Sequence, residues 1–259
     1  MLVYGRNVAR EMLEKNKRIE KIILQEGFDK MGIPWDDEKI NRLEKYAKLL
    51  VEWNEKMNLT AITDTEGIAV KHFLDSAAAL TTGKIKGRVI DVGTGAGFPG
   101  VVLKIMQPEI SLTLLDSLNK RLVFLKEVLD TLGIDNVELI HSRAEDGAHK
   151  KGYRESYDVA TSRAVAALPL LSELCLGYVK PGGSLIALKG PSVTEEAKDA
   201  KRAIYMLGGE IEKIEDANVP GSDMDHKIIH IKKVRHTPIK FPRKSAIITK
   251  SPIETCYNK

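Results

Sequence analysis

Four glycines close on one apolar run. VIDVGTGAGFPG, from Val89 to Gly100, places Gly93, Gly95, Gly97 and Gly100 between a strand-like RVIDVG and a helix-like VVLKIM. Glycine in such a turn permits positive φ and lets backbone N–H groups approach a ligand closely. In open α/β sheets ligands lie at the carboxyl ends of strands, which is where this loop falls. The pattern points to a nucleotide-like ligand. Two acids narrow the chemistry. Asp91 stands two residues before Gly93. A carboxylate there suits a ligand that carries an ammonium group and opposes a pyrophosphate, which favours S-adenosylmethionine over a dinucleotide. Hydrogen bonding of Asp91 to the loop amides is the plainer role, and the two are compatible. Asp116, at the end of the next strand-like run, is placed to accept both ribose hydroxyls, a feature that dinucleotide-binding folds share.

Further strand ends carry chemistry. VELIHSRAED puts Ala144 and Glu145 where an adenine edge would lie. YDVATSRAV puts Arg163 at the end of the fourth run, facing the reacting centre, with an ion pair to a neighbouring acid as the alternative. Lys189, closing ALKG, points to the same ligand face. Phe98 packs on the ligand or belongs to the core.

These residues need a scaffold. RVIDVG (88–93), LTLLDS (112–117), VELIHS (137–142), YDVATS (157–162) and SLIALK (184–189) alternate with helical stretches such as Leu118 to Gly133. That rhythm predicts a mostly parallel sheet with helices on both faces. After Gly209 the helices stop, and GEIEKIEDANV and HKIIHIKKV read as a terminal antiparallel hairpin. The expected fold class is α/β, a doubly wound Rossmann-like sheet with a terminal antiparallel strand and a helical N-terminal extension. Residues 1–30 read as a lead, 31–83 as the helical extension, 84–234 as the ligand-binding domain and 235–259 as a basic tail. In the extension, Asp36 caps a helix whose Ile40, Leu43, Ala47, Leu50, Trp53 and Met57 form a packing stripe. Ile68 to Leu80 is a second predicted helix.

Composition excludes several classes. With 43% hydrophobic residues over 259 the chain can bury a sizeable core. Its two cysteines, Cys175 and Cys256, make neither a disulfide framework nor a thiolate zinc site, and no metal is expected. No signal-peptide core and no membrane-length apolar run occur, so a cytoplasmic protein without a membrane partner is expected. The net charge of +4 divides unevenly: residues 227–259 hold nine Lys/Arg and one acid. A mildly acidic body with a basic tail fits polyanion binding, and equally a solvated surface segment.

Taken together, DVGTGAGFPG, LLDSLNKRLVFL, SRAED, SRAVA, LSELCLGYVKPGG and ALKG resemble the bacterial rRNA small-subunit methyltransferase G family, also called glucose-inhibited division protein B. WNEKMNLTAI (53–62), KHFLDS (71–76), KFPRK (240–244) and TKSPI (249–253) extend the resemblance, which runs from Gly32 to Glu254. It implies a class I methyltransferase that moves a methyl group from S-adenosylmethionine to N7 of one guanine in the decoding region of 16S rRNA. It also implies cofactor contacts at Gly93, Phe98, Ala144, Glu145 and Arg163. The partner would be 16S rRNA, in a 30S subunit or an assembly intermediate, met by a monomer. The family tail continues PRKxGxPxKxP, whereas Ala246 and Ile248 stand here in place of the glycine and the proline. YGRNVAREML and RIEKIILQEG resemble the start of the RNA-recognition domain of SpoU-type knotted methyltransferases, too short a piece for a domain of its own.

Guanine N7 carries a free lone pair and no proton, so methylation there needs alignment more than a base. His72 and Asp75 are candidates to stabilise the charge that develops on the purine; a packed helix residue and a structural cap are the plainer readings. Lys189, Lys240, Arg243 and Lys244 are the candidate RNA contacts. Three rivals stay open: a dinucleotide-dependent oxidoreductase, a non-catalytic RNA-binding factor on the same fold, and a methyltransferase with another acceptor.

Overall fold

Apolar runs that alternate with amphipathic helices must bury both faces of a sheet. A computed structural model, which describes residues 18–253, shows how they do so. YGRNVAREML and Cys256 lie outside the described residues. The strands are β1 (Arg88–Val92), β2 (Ser111–Asp116), β3 (Val137–His141), β4 (Tyr157–Arg163), β5 (Val179–Lys189), β6 (Gly209–Asp216) and β7 (Lys227–Lys233). They form one seven-stranded sheet in the order β3-β2-β1-β4-β5-β7-β6. β1 to β5 pair in parallel, and β7 lies antiparallel to both β5 and β6. The chain leaves β1 towards β2 and β3, then returns to the other side of β1 with β4. That reversal opens a crevice at the carboxyl ends of β1 and β4, the usual ligand position in doubly wound sheets. The arrangement is the expected doubly wound, Rossmann-like α/β fold. The expected terminal antiparallel hairpin is β6 and β7. β7, last in the chain, is inserted inside the sheet, and β6 takes the edge.

The helices are α1 (18–31), α2 (Asp37–Asn54), α3 (Thr65–Gly67), α4 (Asp75–Ala77), α5 (Gly100–Met106), α6 (Asn119–Leu132), α7 (Ala144–Gly147), α8 (Leu168–Leu176), α9 (Val193–Met206) and α10 (Ser245–Lys250). Between α3 and α4 the chain winds as a π-helix, Ile68–Leu74, and after α4 as a 3-10 turn, Ala78–Thr82. The helix expected over Ile68 to Leu80 is thus a composite rod spanning 65–82. One face of the sheet packs against α1, α2, the rod, α5 and α6; the other packs against α8 and α9. Asp36 caps α2 by accepting from the Lys39 amide at 2.8 Å. The stripe holds at Ile40, Leu43, Ala47 and Leu50, with Tyr46 buried beside them. α2 stops at Asn54, so Met57 lies past it and Trp53 is half-buried. Residues 18–30 of the lead join the body, with Leu24 and Phe28 of α1 fully buried in the same core. Where the tail carries Ala246 and Ile248, no turn former interrupts it, and it winds into α10 with Ile248 buried.

Candidate cofactor cleft and active site

The glycine loop is built from below. Gly93, Gly95 and Gly97 have φ of 73°, 61° and 98°, the left-handed region. Gly93 and Thr94 amides donate to the Leu115 carbonyl at 2.9 and 3.0 Å. The Gly95 amide donates to Asp116 Oδ2 at 2.9 Å. Asp91 Oδ2 accepts from Thr94 Oγ1 at 2.7 Å and from the Gly100 amide at 2.9 Å. α2 supports the loop as well: the buried Tyr46 hydroxyl donates to the Ala96 carbonyl, and its ring stacks on Phe98 at 5.4 Å. Gly95 and Gly97 face opposite ways. A Cβ on Gly95 would meet nothing nearer than the Gly93 carbonyl at 4.0 Å. On Gly97 it would press within 2.8 Å of Leu125 and Val101, inside the core.

Above the loop lies a cleft of about 490 Å³. Its floor is the loop itself, with Asp116 and Ser117 at the end of β2. One wall is the segment 142–145 after β3. The other is formed by Arg163 to Val165 after β4 and by Leu59, Thr60 and His72 from the helical region. Asn54 shapes that last piece, its Oδ1 accepting from the Leu59 and Thr60 amides at 2.6 and 2.9 Å. Ser245 of α10 reaches the rim.

Arg163 is held on three sides. It donates to the Lys71 carbonyl at 2.9 Å, to Asp75 Oδ2 at 2.7 Å and to His72 Nδ1 at 3.2 Å, and its guanidinium lies 5.0 Å over the Phe98 ring. Asp75 is fully buried, and its Oδ1 accepts from His226 Nδ1 at 2.7 Å. A guanidinium only donates, so His72 Nδ1 accepts. The His72 proton therefore sits on Nε2 and goes to Thr60 Oγ1, 2.8 Å away. The His72 ring stacks on Phe98 at 4.6 Å.

Electrostatics follow this geometry. Burial, with the Arg163 charge beside it, holds His72 down at about 4, so its ring is neutral at pH 7. Burial pushes the Asp75 carboxyl up, but its contacts with His226 and Arg163 outweigh that and hold it below the ordinary range. The hydrogen bond to Asp75 raises His226. Desolvation lifts Asp91 to about 6 against the pull of Thr94 and the Gly100 amide. Its Oδ1 is buried without a hydrogen-bond partner.

Of the residues singled out from sequence, Gly93, Gly95, Phe98, Asp116, Ala144, Glu145 and Arg163 all line this cleft. Gly97 does not; it shapes the turn from the core side. Asp91 is fully buried beneath the loop, is not among the residues that line the cleft, and caps the loop amides. Asp75 is likewise off the wall and acts on Arg163, while His72 is on it. Among the RNA candidates, Lys189 is tied to the Ala166 carbonyl at 2.7 Å and to Glu196 at 2.8 Å. Arg243 makes a two-pronged pair with the buried Glu173, at 2.9 and 2.8 Å. Neither offers a free cation. Lys240 and Lys244 are exposed. Sequence reasoning passed over Tyr46, Thr60, His226, Arg143 and Ser245. Two of them stood inside motifs that carry the resemblance, Thr60 in WNEKMNLTAI and Arg143 in SRAED.

The comparisons with known proteins bear on this site. The family model for rRNA small subunit methyltransferase G matches residues 39–224. A ribosomal RNA small subunit methyltransferase G from Clostridium perfringens is 49% identical over 234 residues, 90% of this chain and 98% of that protein. Those from Alkaliphilus oremlandii and Acetivibrio thermocellus are 51% and 48% identical, covering 90% and 93% of this chain and 99% and 100% of theirs. The chain belongs to the rRNA small subunit methyltransferase G family. The match to the family model of methyltransferase G spans α2, the glycine loop and Arg163; His226, β7 and α10 lie past it. Among the described residues no helix is long and apolar enough to cross a membrane.

Proposed function

We propose that this chain transfers a methyl group from S-adenosylmethionine to N7 of a guanine in 16S rRNA, acting on a 30S subunit or an assembly intermediate in the cytoplasm. The observation that carries this reading is near-half identity along almost the whole length of small subunit methyltransferases, joined to an intact glycine cleft. The donor set fits the cofactor. A cleft of about 490 Å³ falls within the usual range for such ligands. The open side of Gly95 leaves room for close approach. Asp116 already accepts from Leu118, Gly95 and Arg121, yet a carboxylate has about four acceptor sites, so capacity for a ribose hydroxyl remains. The backbone at Ala144 and Glu145 would take the adenine edge.

When bound, S-adenosylmethionine supplies a methyl group on a positively charged sulfur. The remaining work belongs to the chain. Guanine N7 attacks with its own lone pair, and no proton has to leave. The site accordingly has no need of His72 as a base, and its low pKa suits a different role. A neutral ring beside the cleft adds no repulsion to a purine that gains positive charge, whereas a protonated one would. Asp75 offsets the charge of Arg163. Arg163, clamped on three sides, orients base or phosphate and moves no proton. Alignment of this kind can lower a barrier by ~7–11 kcal/mol.

Titration calorimetry with S-adenosylhomocysteine and NADH tests the cofactor. Tight binding of the first and none of the second is expected. The reverse would return the oxidoreductase reading.

A further inference from the structure

A second hollow of about 620 Å³ opens beside the cofactor cleft, between α10 and the segment after β3. It is continuous with the cleft, because Arg143, Glu145 and Ser245 line both. Its walls carry the cations Arg143, Lys244 and Lys250. All are exposed, and among the described residues the side chain of none makes an ion pair or hydrogen bond. Elsewhere on the surface lysines are commonly paired, as in Lys126–Asp130, Lys198–Glu195 and Lys227–Asp216. Of the two acids in the hollow, Glu145 is buried and only Asp146 is exposed.

The hollow is also held in shape. Arg243, bonded to Glu173, donates to the Ser251 carbonyl at 3.0 Å, so both ends of α10 are tethered. Arg154 donates to the carbonyls of Thr237 and Phe241 at 2.8 and 2.9 Å, fixing the chain that leads into α10. The basic tail is a strap laid on the body, and two of its unpaired lysines, Lys244 and Lys250, stand at one edge of the cleft.

We infer that this hollow seats RNA phosphates on one side of the target guanine, with Lys244 and Lys250 as the phosphate contacts and Arg143 at the junction with the cleft. The inference rests on the RNA methyltransferase reading above. Nucleotides joined to a base in the cleft must leave through its rim, and among the described residues this edge carries three unpaired cations. Phosphate recognition needs only such positive groups, without base contacts.

The test is equilibrium binding of 30S subunits, purified from cells lacking this enzyme, between about 50 and about 200 mM monovalent salt. Each phosphate contact to single-stranded RNA steepens the loss over that range by a factor of about 2.6. The pair Lys244→Gln/Lys250→Gln is expected to bind more weakly at low salt and to lose about sevenfold less affinity over the range than the wild type. Lys86→Gln, an exposed lysine at the amino end of β1 and away from the cleft, is expected to leave the slope as it was. The pair Lys244→Arg/Lys250→Arg is expected to restore it. An unchanged slope in the Gln pair, or an equally flattened slope with Lys86→Gln alone, would overturn the assignment. Methyl transfer is measured separately on the same subunits. Salt-dependent binding that follows the hollow without any methyl transfer would leave the phosphate seat standing and contradict the enzymatic reading.

Discussion

Arg163 meets three acceptors of different kinds, a carbonyl, a carboxylate and an imidazole nitrogen. A lysine has donors but no planar fork, so it cannot hold all of them and cover Phe98 at once. Arg163→Lys is expected to lower methyl transfer by about 100-fold, the scale of a small misplacement, while the circular dichroism spectrum stays native. Asp75→Ala should do something else. It strands Arg163 without its buried partner and should cost about 3–5 kcal/mol in urea unfolding. The pH dependence has a definite sign. Folded His72 titrates near 4, below its ordinary 6.5, so between these values the folded chain binds fewer protons than the unfolded chain. Its contribution to stability is complete above 6.5 and is lost as pH falls towards 4, up to about 3 kcal/mol. Asp75, also held low, adds loss of the same sign at acid pH. His226 has the opposite sign: raised by Asp75, its contribution is present below 6.5 and fades as pH rises through its folded value. Urea unfolding of the wild type and of His72→Gln, compared at pH 7 and pH 4.5, checks the first of these; the acid loss should be smaller in the variant.

At the scale of elements, the glycine loop separates two effects that a bare motif merges. Gly97→Ala forces a Cβ into Leu125 and Val101 at positive φ, and should destabilise the fold by about 1–3 kcal/mol or more. Gly95→Ala meets open space on the cleft side and should cost about 1 kcal/mol of stability, with a larger loss of S-adenosylhomocysteine affinity. Thermal melts and calorimetry on the two proteins tell these apart. Strand positions and the loop were legible because their signals are local: apolar runs of fixed length, and glycines where the backbone turns left. The part played by α2 was only half legible. Its stripe marked a packing face, but Tyr46, whose hydroxyl supports Ala96 fifty residues away, showed no local sign of that role. The π-helix at Ile68–Leu74, with its apolar residues buried, left no trace in the spacing.

Over the whole molecule, charge was readable as an amount and not as a position. The basic tail stands out in composition, yet Arg243 is bound to Glu173 seventy residues earlier, and no local pattern announces that pair. Lys189 ends on the expected face but is tied to Glu196 across a turn. Because Glu173 is almost fully buried, Arg243→Ala should destabilise the protein by about 3–5 kcal/mol and free the tail, seen as faster proteolysis near Lys244. RNA affinity should fall with it while S-adenosylhomocysteine binding persists. Cleft, Arg163 and acceptor meet in a single reaction, methyl transfer to the RNA. The protein is incubated with radiolabelled S-adenosylmethionine and 30S subunits from cells lacking it, and the labelled nucleotide is mapped by mass spectrometry. Label at N7 of a single 16S guanine is expected, reduced about 100-fold when Arg163→Lys is used. Label on another atom or another RNA, or none despite cofactor binding, would contradict that reaction.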